Sequence, residues 1–228
     1  MTLLPWHQIE TVLLDMDGTL LDLNFDNKFW LELIPEKLSQ RSGKTLSECT
    51  QELMAAYEEV KGKLEWYCLD YWADRLQMDI LEAKQELKHM IQLRHDCIPF
   101  LDALKRSGRV IALVTNAHPG SLSLKIEQTQ LDEHIDTLIS THQFGVSKES
   151  QLLWQALESH LGFNKTHTLF VDDSQVILDA AKTFGIAYTL GITNPDSGKP
   201  ENEIHGHVHT NNYHELLDSI IQDNFSPH

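Results

Sequence analysis

The chain has 228 residues and a formal net charge of −16, and 41% of its residues are hydrophobic and 23% charged. This composition is typical of a globular protein with one large core, or with a core and a smaller inserted domain. The negative charge argues against a nucleic-acid polymer or an anionic membrane as a partner. No apolar run approaches the roughly 18 residues of a membrane span, and the N-terminus lacks the pattern of a secretion signal. The three cysteines are widely spaced and include no Cys-x-x-Cys pair, which predicts reduced thiols in a cytoplasmic protein.

The first predicted element is a buried strand over 11–14, which runs directly into Asp15, Met16, Asp17 and Gly18. Ligands of open α/β sheets bind at the carboxyl ends of the strands, so Asp15 and Asp17 are placed at a candidate site. Strand residues two apart point to the same face. If the strand loosens at Met16, one carboxylate and one backbone carbonyl face a common metal instead. The alternative interpretation is an acidic turn that follows a strand.

Residues 21–96 have helical patterns throughout and no convincing strand. We therefore expect an all-helical domain inserted into an α/β core made of 1–20 and 97–228. The predicted helices are 24–33, which stops before Pro35; 45–61, which opens on a capping box of Thr45 and Glu48; 64–76; and 79–94, with Asp79 as its N-cap.

After residue 96, strands alternate with helices, which predicts a parallel sheet with right-handed crossovers and helices on both faces. The segment 193–212 is rich in proline and glycine and is predicted to be a loop. The predicted strands are 110–115, 137–140, 168–172 and 186–190. The predicted helices are 99–107, 121–130 with Ser121 as its cap, 148–161, 174–184 and 214–223.

Four polar fragments lie at or near the predicted strand ends, and parallel strands bring such fragments to one rim of the sheet. They are Asp15-Met-Asp17, Thr115-Asn116, Lys148 as the first residue of a helix, and Asp172-Asp173. Two adjacent carboxylates are stable only beside a cation, so the last fragment predicts a metal rather than a bare acid–base pair.

The residue types in these fragments suit phosphoryl transfer. Mg²⁺ prefers oxygen ligands, which the carboxylates of Asp15 and Asp173 and the carbonyl of Asp17 can supply. Asp15 is the candidate nucleophile. Asp17 is the candidate acid that protonates the leaving alkoxide and later activates water.

Further groups can serve the phosphate oxygens. Thr115, Asn116 and Lys148 offer hydrogen bonds and one positive charge where charge must be stabilised. His118 follows the second fragment and is a candidate contact to the phosphate or the leaving group; the alternative is that it only belongs to the loop. Any anionic substrate needs such local positive charge, because the field of the whole chain would repel it.

Together, the four motifs resemble those of the haloacid dehalogenase-like (HAD) hydrolases, in the same order and strand contexts over nearly the whole chain. The resemblance implies a Rossmann-like sheet and a helical cap that closes over the site and selects the substrate. It also implies that Asp15 forms an aspartyl-phosphate and that Asp17 is the acid/base of phosphatases and phosphomutases, which argues against dehalogenation. At Ile177, where many members carry an acid, this chain departs from the pattern, and Asp172 is the expected compensating metal ligand beside Asp173.

A narrower resemblance is to bacterial nucleotidases of this superfamily that act on GMP and IMP. It implies a cytoplasmic, Mg²⁺-dependent phosphomonoesterase that releases phosphate from purine 5′-nucleoside monophosphates. The alternatives are a HAD-type sugar-phosphate phosphatase or phosphomutase and, from another class, a non-catalytic nucleotide-binding domain. The oligomeric state stays open. The segments that carry this resemblance are 13–23, Phe25-Asp26-Asn27, Phe29-Trp30, 66–72, 115–119, 140–145 and 193–198.

The helical part contains an aromatic cluster of Trp66, Tyr67, Tyr71 and Trp72. Helical spacing would place Tyr67 and Tyr71 on one face. Packing within the helical domain is one interpretation, and stacking of one ring on a purine is the other. Asp26 either lines the hinge of this domain or caps a helix.

Overall fold

Six parallel strands form a single sheet whose carboxyl ends lie at one edge. The computed structural model describes residues 4–223. The strands are β1 (Thr11–Leu14), β2 (Val110–Thr115), β3 (Thr137–Ser140), β4 (Thr168–Asp172), β5 (Tyr188–Ile192) and β6 (Val208–Thr210). Their order in the sheet is β3-β2-β1-β4-β5-β6. The first strand pairs with β2 on one side and β4 on the other, so the loop that follows it lies in the middle of that edge.

Both faces of the sheet are covered, because successive strand residues point to opposite sides. Val12 and Leu14 belong to one hydrophobic cluster, whereas Leu13 between them belongs to another. The helices that pack on the sheet are α7 (Cys97–Arg106), α8 (Pro119–Thr129), α9 (Gln151–Leu161), α10 (Gln175–Phe184) and α11 (Leu217–Gln222). The first cluster includes residues of α7, α8 and α11, and the second includes residues of α9 and α10. The predicted fold class is confirmed.

Residues 24–90, which we term the helical segment, contain only helices and turns between β1 and the rest of the sheet. The segment has a hydrophobic cluster of its own that runs from Phe29 to Ala83. Its elements are α1 (Asn24–Lys28), a π-helical turn (Phe29–Leu33), α2 (Ile34–Ser42), α3 (Leu46–Val60), α4 (Leu64–Tyr67), α5 (Leu69–Leu76), α6 (Ile80–Glu86) and a 3-10 turn (Lys88–Met90). No helix within residues 4–223 is long and apolar enough to cross a membrane.

Three predictions for the helical segment were wrong. The first helix does not stop before Pro35, because a π-helical turn, in which Ile34 N–H donates to Phe29 O, widens the helix directly ahead of the proline and lets it continue. The predicted helix 64–76 breaks at Cys68, which has an extended backbone, so Tyr67 and Tyr71 do not share one helix face. The predicted helix 79–94 ends at Glu86. The capping box of Thr45 and Glu48 is confirmed.

The bounds of several elements of the α/β core also differ from those predicted. The α8 helix begins at Pro119 and is capped by His118 instead of Ser121, and α9 begins at Gln151, so Lys148 precedes the helix in a turn. The last strand of the predicted alternation is shifted to Tyr188–Ile192. The segment predicted to be a loop contains β6, whose three residues were too few to show a strand pattern.

Candidate active site

A cavity of about 310 Å³ lies at the carboxyl ends of the strands, between the sheet and the helical segment. Its volume is within the range of small-molecule sites. It contains every residue predicted for the site. Its walls are formed by Asp15, Asp17, Leu23, Asp26, Trp30, Trp66, Tyr67, Leu69, Lys84, Thr115, Asn116, Ala117, His118, Ser121, Lys125, Lys148, Asp172, Asp173, Ser174 and Ile177.

The loop after β1 holds its two aspartates in place through the residue between them. The Met16 side chain is fully buried, and its carbonyl accepts hydrogen bonds from the N–H groups of Thr19, Leu20 and Leu21. Asp15 N–H donates to Val171 O at 2.9 Å, which extends the pairing with β4 by one residue. Asp15 and Asp17 both line the cavity.

Lys148 Nζ lies between two buried carboxylates, 2.5 Å from Asp15 Oδ1 and 2.7 Å from Asp172 Oδ2. Burial raises the pKa of the Asp15 carboxyl to about 6, although Lys148 opposes the rise. Burial alone would lower the pKa of Lys148, but the two carboxylates overcome it and hold that pKa above its usual range. The ammonium is therefore charged and fixed beside the candidate nucleophile.

Asp173 supplies a third carboxylate, and ligand oxygens of Asp15, Asp172 and Asp173 all lie within 4.8 Å of one another. Burial raises the pKa of Asp173 well above its usual range, and the neighbouring carboxylates raise it further. Asp172 is already engaged, because its Oδ1 accepts from Ser174 N–H at 2.8 Å and its Oδ2 from Lys148. A divalent cation fits this surplus of negative charge, with Asp15 and Asp173 as the better placed ligands.

The motif Thr115-Asn116, at the end of β2, holds the loops around the cavity in place. Asn116 Oδ1 accepts from Lys148 N–H at 2.9 Å and from Thr141 Oγ1 at 3.0 Å, and Asn116 Nδ2 donates to Glu149 Oε2 at 3.2 Å. Thr115 Oγ1 accepts from Ala117 N–H at 3.0 Å. The side chain of Asn116 thus fixes the backbone at Lys148.

His118 lies on the cavity wall, with both ring nitrogens engaged. Nδ1 accepts from Gly120 N–H at 3.1 Å, and Nε2 lies 3.4 Å from Asp70 Oδ2 of the helical segment. His118, Cys68 and His142 also have ligand atoms within 4.8 Å of one another. Because Nδ1 of His118 uses its lone pair on Gly120, Nε2 carries the proton, and the ring offers no free lone pair to a metal.

Two lysines of the site were missed by the sequence reasoning. Lys125 Nζ lies 2.6 Å from Asp17 Oδ1 and 2.6 Å from Asp26 Oδ2, and Lys84 Nζ lies 2.8 Å from Asp26 Oδ1. Burial raises the pKa of Asp17 to about 6, against the opposing effect of Lys125. Burial also acts to raise the pKa of Asp26, but the two lysines overcome it and hold that pKa well below its usual range.

The sequence carried a signal for Lys84 but not for Lys125. Lys84 stands four residues after the apolar Ile80 and so shares the buried face of its helix, whereas Lys125 stands four residues after Ser121, a polar residue that does not indicate burial. A charged residue on a buried face requires a partner of opposite charge. The pattern indicates such a need for Lys84 but does not identify Asp26 as its partner.

The predicted aromatic cluster is divided by the break at Cys68. Trp72 is buried within the helical segment, where it packs edge-on against Tyr57 and Tyr71. Trp66 and Tyr67 line the cavity. The packing interpretation therefore holds for Trp72, and purine stacking stays a prediction for the two rings at the cavity wall.

A sequence model of the haloacid dehalogenase-like hydrolases matches residues 9–185, which include the four polar motifs at the strand ends. The chain is a haloacid dehalogenase-like hydrolase. The hydrolase is 49% identical over 218 residues to the GMP/IMP nucleotidase YrfG of Escherichia coli K12, an alignment that covers 96% of this chain and 98% of that protein. The GMP/IMP nucleotidase YrfG of Shigella flexneri matches with the same identity and coverage.

Solved structures of low identity share the fold. A HAD phosphatase from Thermococcus onnurineus superposes with a TM-score of 0.76 at 22% identity, covering 93% of this chain and 98% of that one. The L-2-haloacid dehalogenase of Xanthobacter autotrophicus superposes with a TM-score of 0.62 at 16% identity, covering 93% of this chain and 98% of that one. Phosphatases and dehalogenases thus share this architecture, so the fold alone does not select the reaction.

Gly18 provides a test of how tightly the site is built. Its φ is +82°, and a Cβ atom there would lie 2.7 Å from Asp173 Oδ2 and 2.9 Å from Pro195 Cβ. We expect Gly18→Ala to lower the free energy of unfolding by clearly more than the roughly 1 kcal/mol that a positive φ alone costs an alanine. Urea denaturation measures the change.

Gly43→Ala is the matched control, because Gly43 has φ +73° and nothing within 4 Å of the added Cβ. It isolates the cost of the backbone conformation from that of the collision. Equal losses of unfolding free energy in the two variants would mean that the added Cβ at Gly18 meets no collision, which would contradict the structure.

Proposed function

We propose that this hydrolase is a phosphomonoesterase that hydrolyses purine 5′-nucleoside monophosphates, with GMP and IMP as its substrates. The observation that carries the proposal is the placement of Asp15 beside the Lys148 ammonium, with a second carboxylate, that of Asp17, on the wall of the same cavity. A nucleophile, a positive charge and an acid/base are the groups that phosphate-ester hydrolysis requires.

In the first step, a carboxylate oxygen of Asp15 attacks phosphorus in line with the leaving oxygen. An O–P bond forms, the bond from phosphorus to the ribose 5′-oxygen breaks, and protonated Asp17 gives its proton to that oxygen. Lys148 binds Oδ1 of Asp15 and leaves the other oxygen for the attack. The raised pKa of Asp17, about 6, suits a group that must both give and accept a proton.

In the second step, water attacks the phosphorus of the aspartyl-phosphate. Asp17 takes the proton of that water, the bond from phosphorus to the Asp15 oxygen breaks, and inorganic phosphate leaves. Thr115, Asn116 and Lys148 lie on the cavity wall, where they can donate to the equatorial phosphate oxygens. For a contact of His118 to the phosphate or the leaving group, its Nε2 would have to exchange Asp70 Oδ2 for the substrate, because Nδ1 accepts from Gly120 N–H.

Members of this family generally use a divalent metal, and we propose Mg²⁺ for this enzyme. The carboxylates of Asp15 and Asp173 and the backbone carbonyl of Asp17 would hold it, with Asp172 beside them as the partner of Lys148. When bound, the ion neutralises charge on the phosphate oxygens. The clustering of three carboxylates, only two of which bind the Lys148 ammonium, supports this assignment.

The nucleotide substrate is supported by the two relatives named as GMP/IMP nucleotidases. Trp66 and Tyr67 line the cavity and can stack on a purine. Lys84, Lys125 and Lys148 are all buried at this site. Of these, Lys148 lies beside Asp15 and supplies positive charge for an anionic small molecule in a chain whose net charge is −16.

The helical segment acts in this scheme as a cap, within the domain bounds 21–96. It meets the α/β core at the site itself, where Tyr67 Oη donates to Glu149 Oε1 at 2.8 Å. The other oxygen of Glu149 accepts from Asn116, so the cap is connected to a residue that binds the Lys148 backbone. Closure would exclude water from the first step and hold the substrate.

We further propose that the enzyme works in the cytoplasm on small molecules. Its three cysteines, Cys49, Cys68 and Cys97, are free thiols, as in a reducing compartment. The surplus of acidic residues disfavours nucleic-acid polymers and anionic membranes as partners.

Asp15→Asn tests the nucleophile. The amide is not nucleophilic, so we expect phosphate release from GMP to fall by at least about a thousandfold, with the fold retained. Phosphate release and circular dichroism measure the two effects. Asp132→Asn, at an exposed position, is the matched control and should behave as wild type; turnover of Asp15→Asn within tenfold of wild type would remove Asp15 from its role.

Chelation tests the metal. We expect EDTA to reduce phosphate release from GMP to background and added Mg²⁺ to restore it, because three crowded carboxylates oppose an incoming phosphate unless a cation neutralises them. The measurement is phosphate release before and after dialysis into chelator. Full activity in EDTA would mean that Lys148 alone balances these carboxylates.

Tyr67→Phe tests the contact between the cap and the core. The variant loses a hydrogen bond to a carboxylate that is worth about 1.5–3 kcal/mol, so we expect kcat/KM for GMP to fall by about 10- to 100-fold. Tyr71→Phe removes a hydroxyl that accepts a hydrogen bond from Arg75 within the cap, and it should leave kcat/KM unchanged. The same kcat/KM for both variants would argue against closure through Tyr67.

A further inference from the structure

Two buried lysines have no part in the chemistry described so far. Lys84 and Lys125 are each only 1% exposed, as buried as core side chains. An ammonium group removed from water costs several kcal/mol unless charges of opposite sign surround it. Their positions must therefore be explained by what they contact.

Lys125 contacts the acid/base directly. Its Nζ donates to Asp17 Oδ1 at 2.6 Å and, on its other side, to Asp26 Oδ2 at 2.6 Å. Charge-assisted bonds of this length are strong and directional. With Oδ1 of Asp17 held by Lys125, Oδ2 is the oxygen left to carry the proton towards the leaving group.

Lys125 is in turn held from the helical segment. Asp26, on α1, places one carboxylate oxygen on Lys125 and the other on Lys84 of α6, at 2.8 Å. The Lys84 ammonium also lies over the rings of Phe25 and Phe29, 4.8 and 4.5 Å from their centroids, which stabilise its charge. Four groups of alternating charge thus run from the helical segment to Asp17.

We propose that Lys125 is a positioning residue for the acid/base carboxylate of Asp17, and that Asp26 and Lys84 hold Lys125 in place when the helical segment lies over the core. The inference rests on the proposed function, because the role of Asp17 is part of it. Closure of the cap and orientation of the acid are then a single event. An open cap takes Asp26 and Lys84 away and leaves the acid without this support.

The leaving group distinguishes this role from a structural one. A ribose 5′-alkoxide is strongly basic and needs the proton of Asp17 to depart, whereas 4-nitrophenolate is a stable anion and departs without it. The ratio kcat/KM reports only steps up to that departure. A misplaced acid therefore harms GMP hydrolysis and spares 4-nitrophenyl phosphate, while general damage to the site harms both.

The experiment compares kcat/KM for GMP and for 4-nitrophenyl phosphate in the full-length enzyme with Mg²⁺. We expect Lys125→Met to lose about 100-fold on GMP and less than about threefold on the aryl ester, with Lys125→Arg recovering much of the loss. Asp26→Asn, which keeps the side-chain shape and serves if Lys125→Met fails to fold, should show the same selectivity with a smaller loss. Lys105→Met, at an exposed lysine that donates to Glu133 O, is the control and should match wild type.

Asp17→Asn is the reference for the proposed function itself. If the wild type releases no phosphate, or Asp17→Asn hydrolyses GMP normally, the proposed function fails. If Asp17→Asn shows the selective loss, but Lys125→Met and Asp26→Asn lose equally on both esters or on neither, then only the inference about Lys125 is overturned.

Discussion

The structure depends on one buried ammonium group held between two carboxylates. Lys148 meets Asp15 at the end of β1 and Asp172 at the end of β4, two strands that pair with each other. Its backbone is fixed by Asn116 at the end of β2. A group with so many partners cannot move alone, so the ends of three neighbouring strands are joined around it. The sheet thereby sets the geometry of the nucleophile.

Buried ammonium groups also bear on how a chain of negative net charge could bind an anionic substrate. The fully buried lysines among residues 4–223 are Lys84, Lys125 and Lys148, and all three line one cavity. Each is paired with carboxylates, and the aspartates on the cavity wall outnumber the lysines. Fixed charges in a site of low polarity act more strongly than charges in water. The Lys148 ammonium beside Asp15, together with the divalent cation proposed at the three crowded carboxylates, therefore supplies the positive charge that an anionic substrate needs.

Much of the site could be predicted from the sequence, because its parts are local. An apolar run that ends in Asp15, Asp17 or Asp172 identifies both a strand and its catalytic end, and the family motifs follow from that. Lys125 and Asp26 could not be paired in advance, since they are 99 positions apart and their meeting depends on how the helical segment packs. The break at Cys68 and the short strand β6 could not be predicted for a related reason, because tertiary contacts and not local patterns determine them.

The orientation of Asp26 at the site depends on the number of residues in the π-helical turn at Phe29–Leu33. It holds one residue more than a regular turn, and α1, which carries Asp26, lies immediately before it. Deleting a single residue there would remove the extra residue that accommodates Pro35 and would rotate α1 by about 100° relative to α2. The Asp26 carboxylate would swing away from both ammonium groups. A one-residue deletion in this turn would thus displace a group that supports the acid/base, although the turn is far along the chain from every family motif but the first. The same deletion at the exposed end of α2 would leave Asp26 in place.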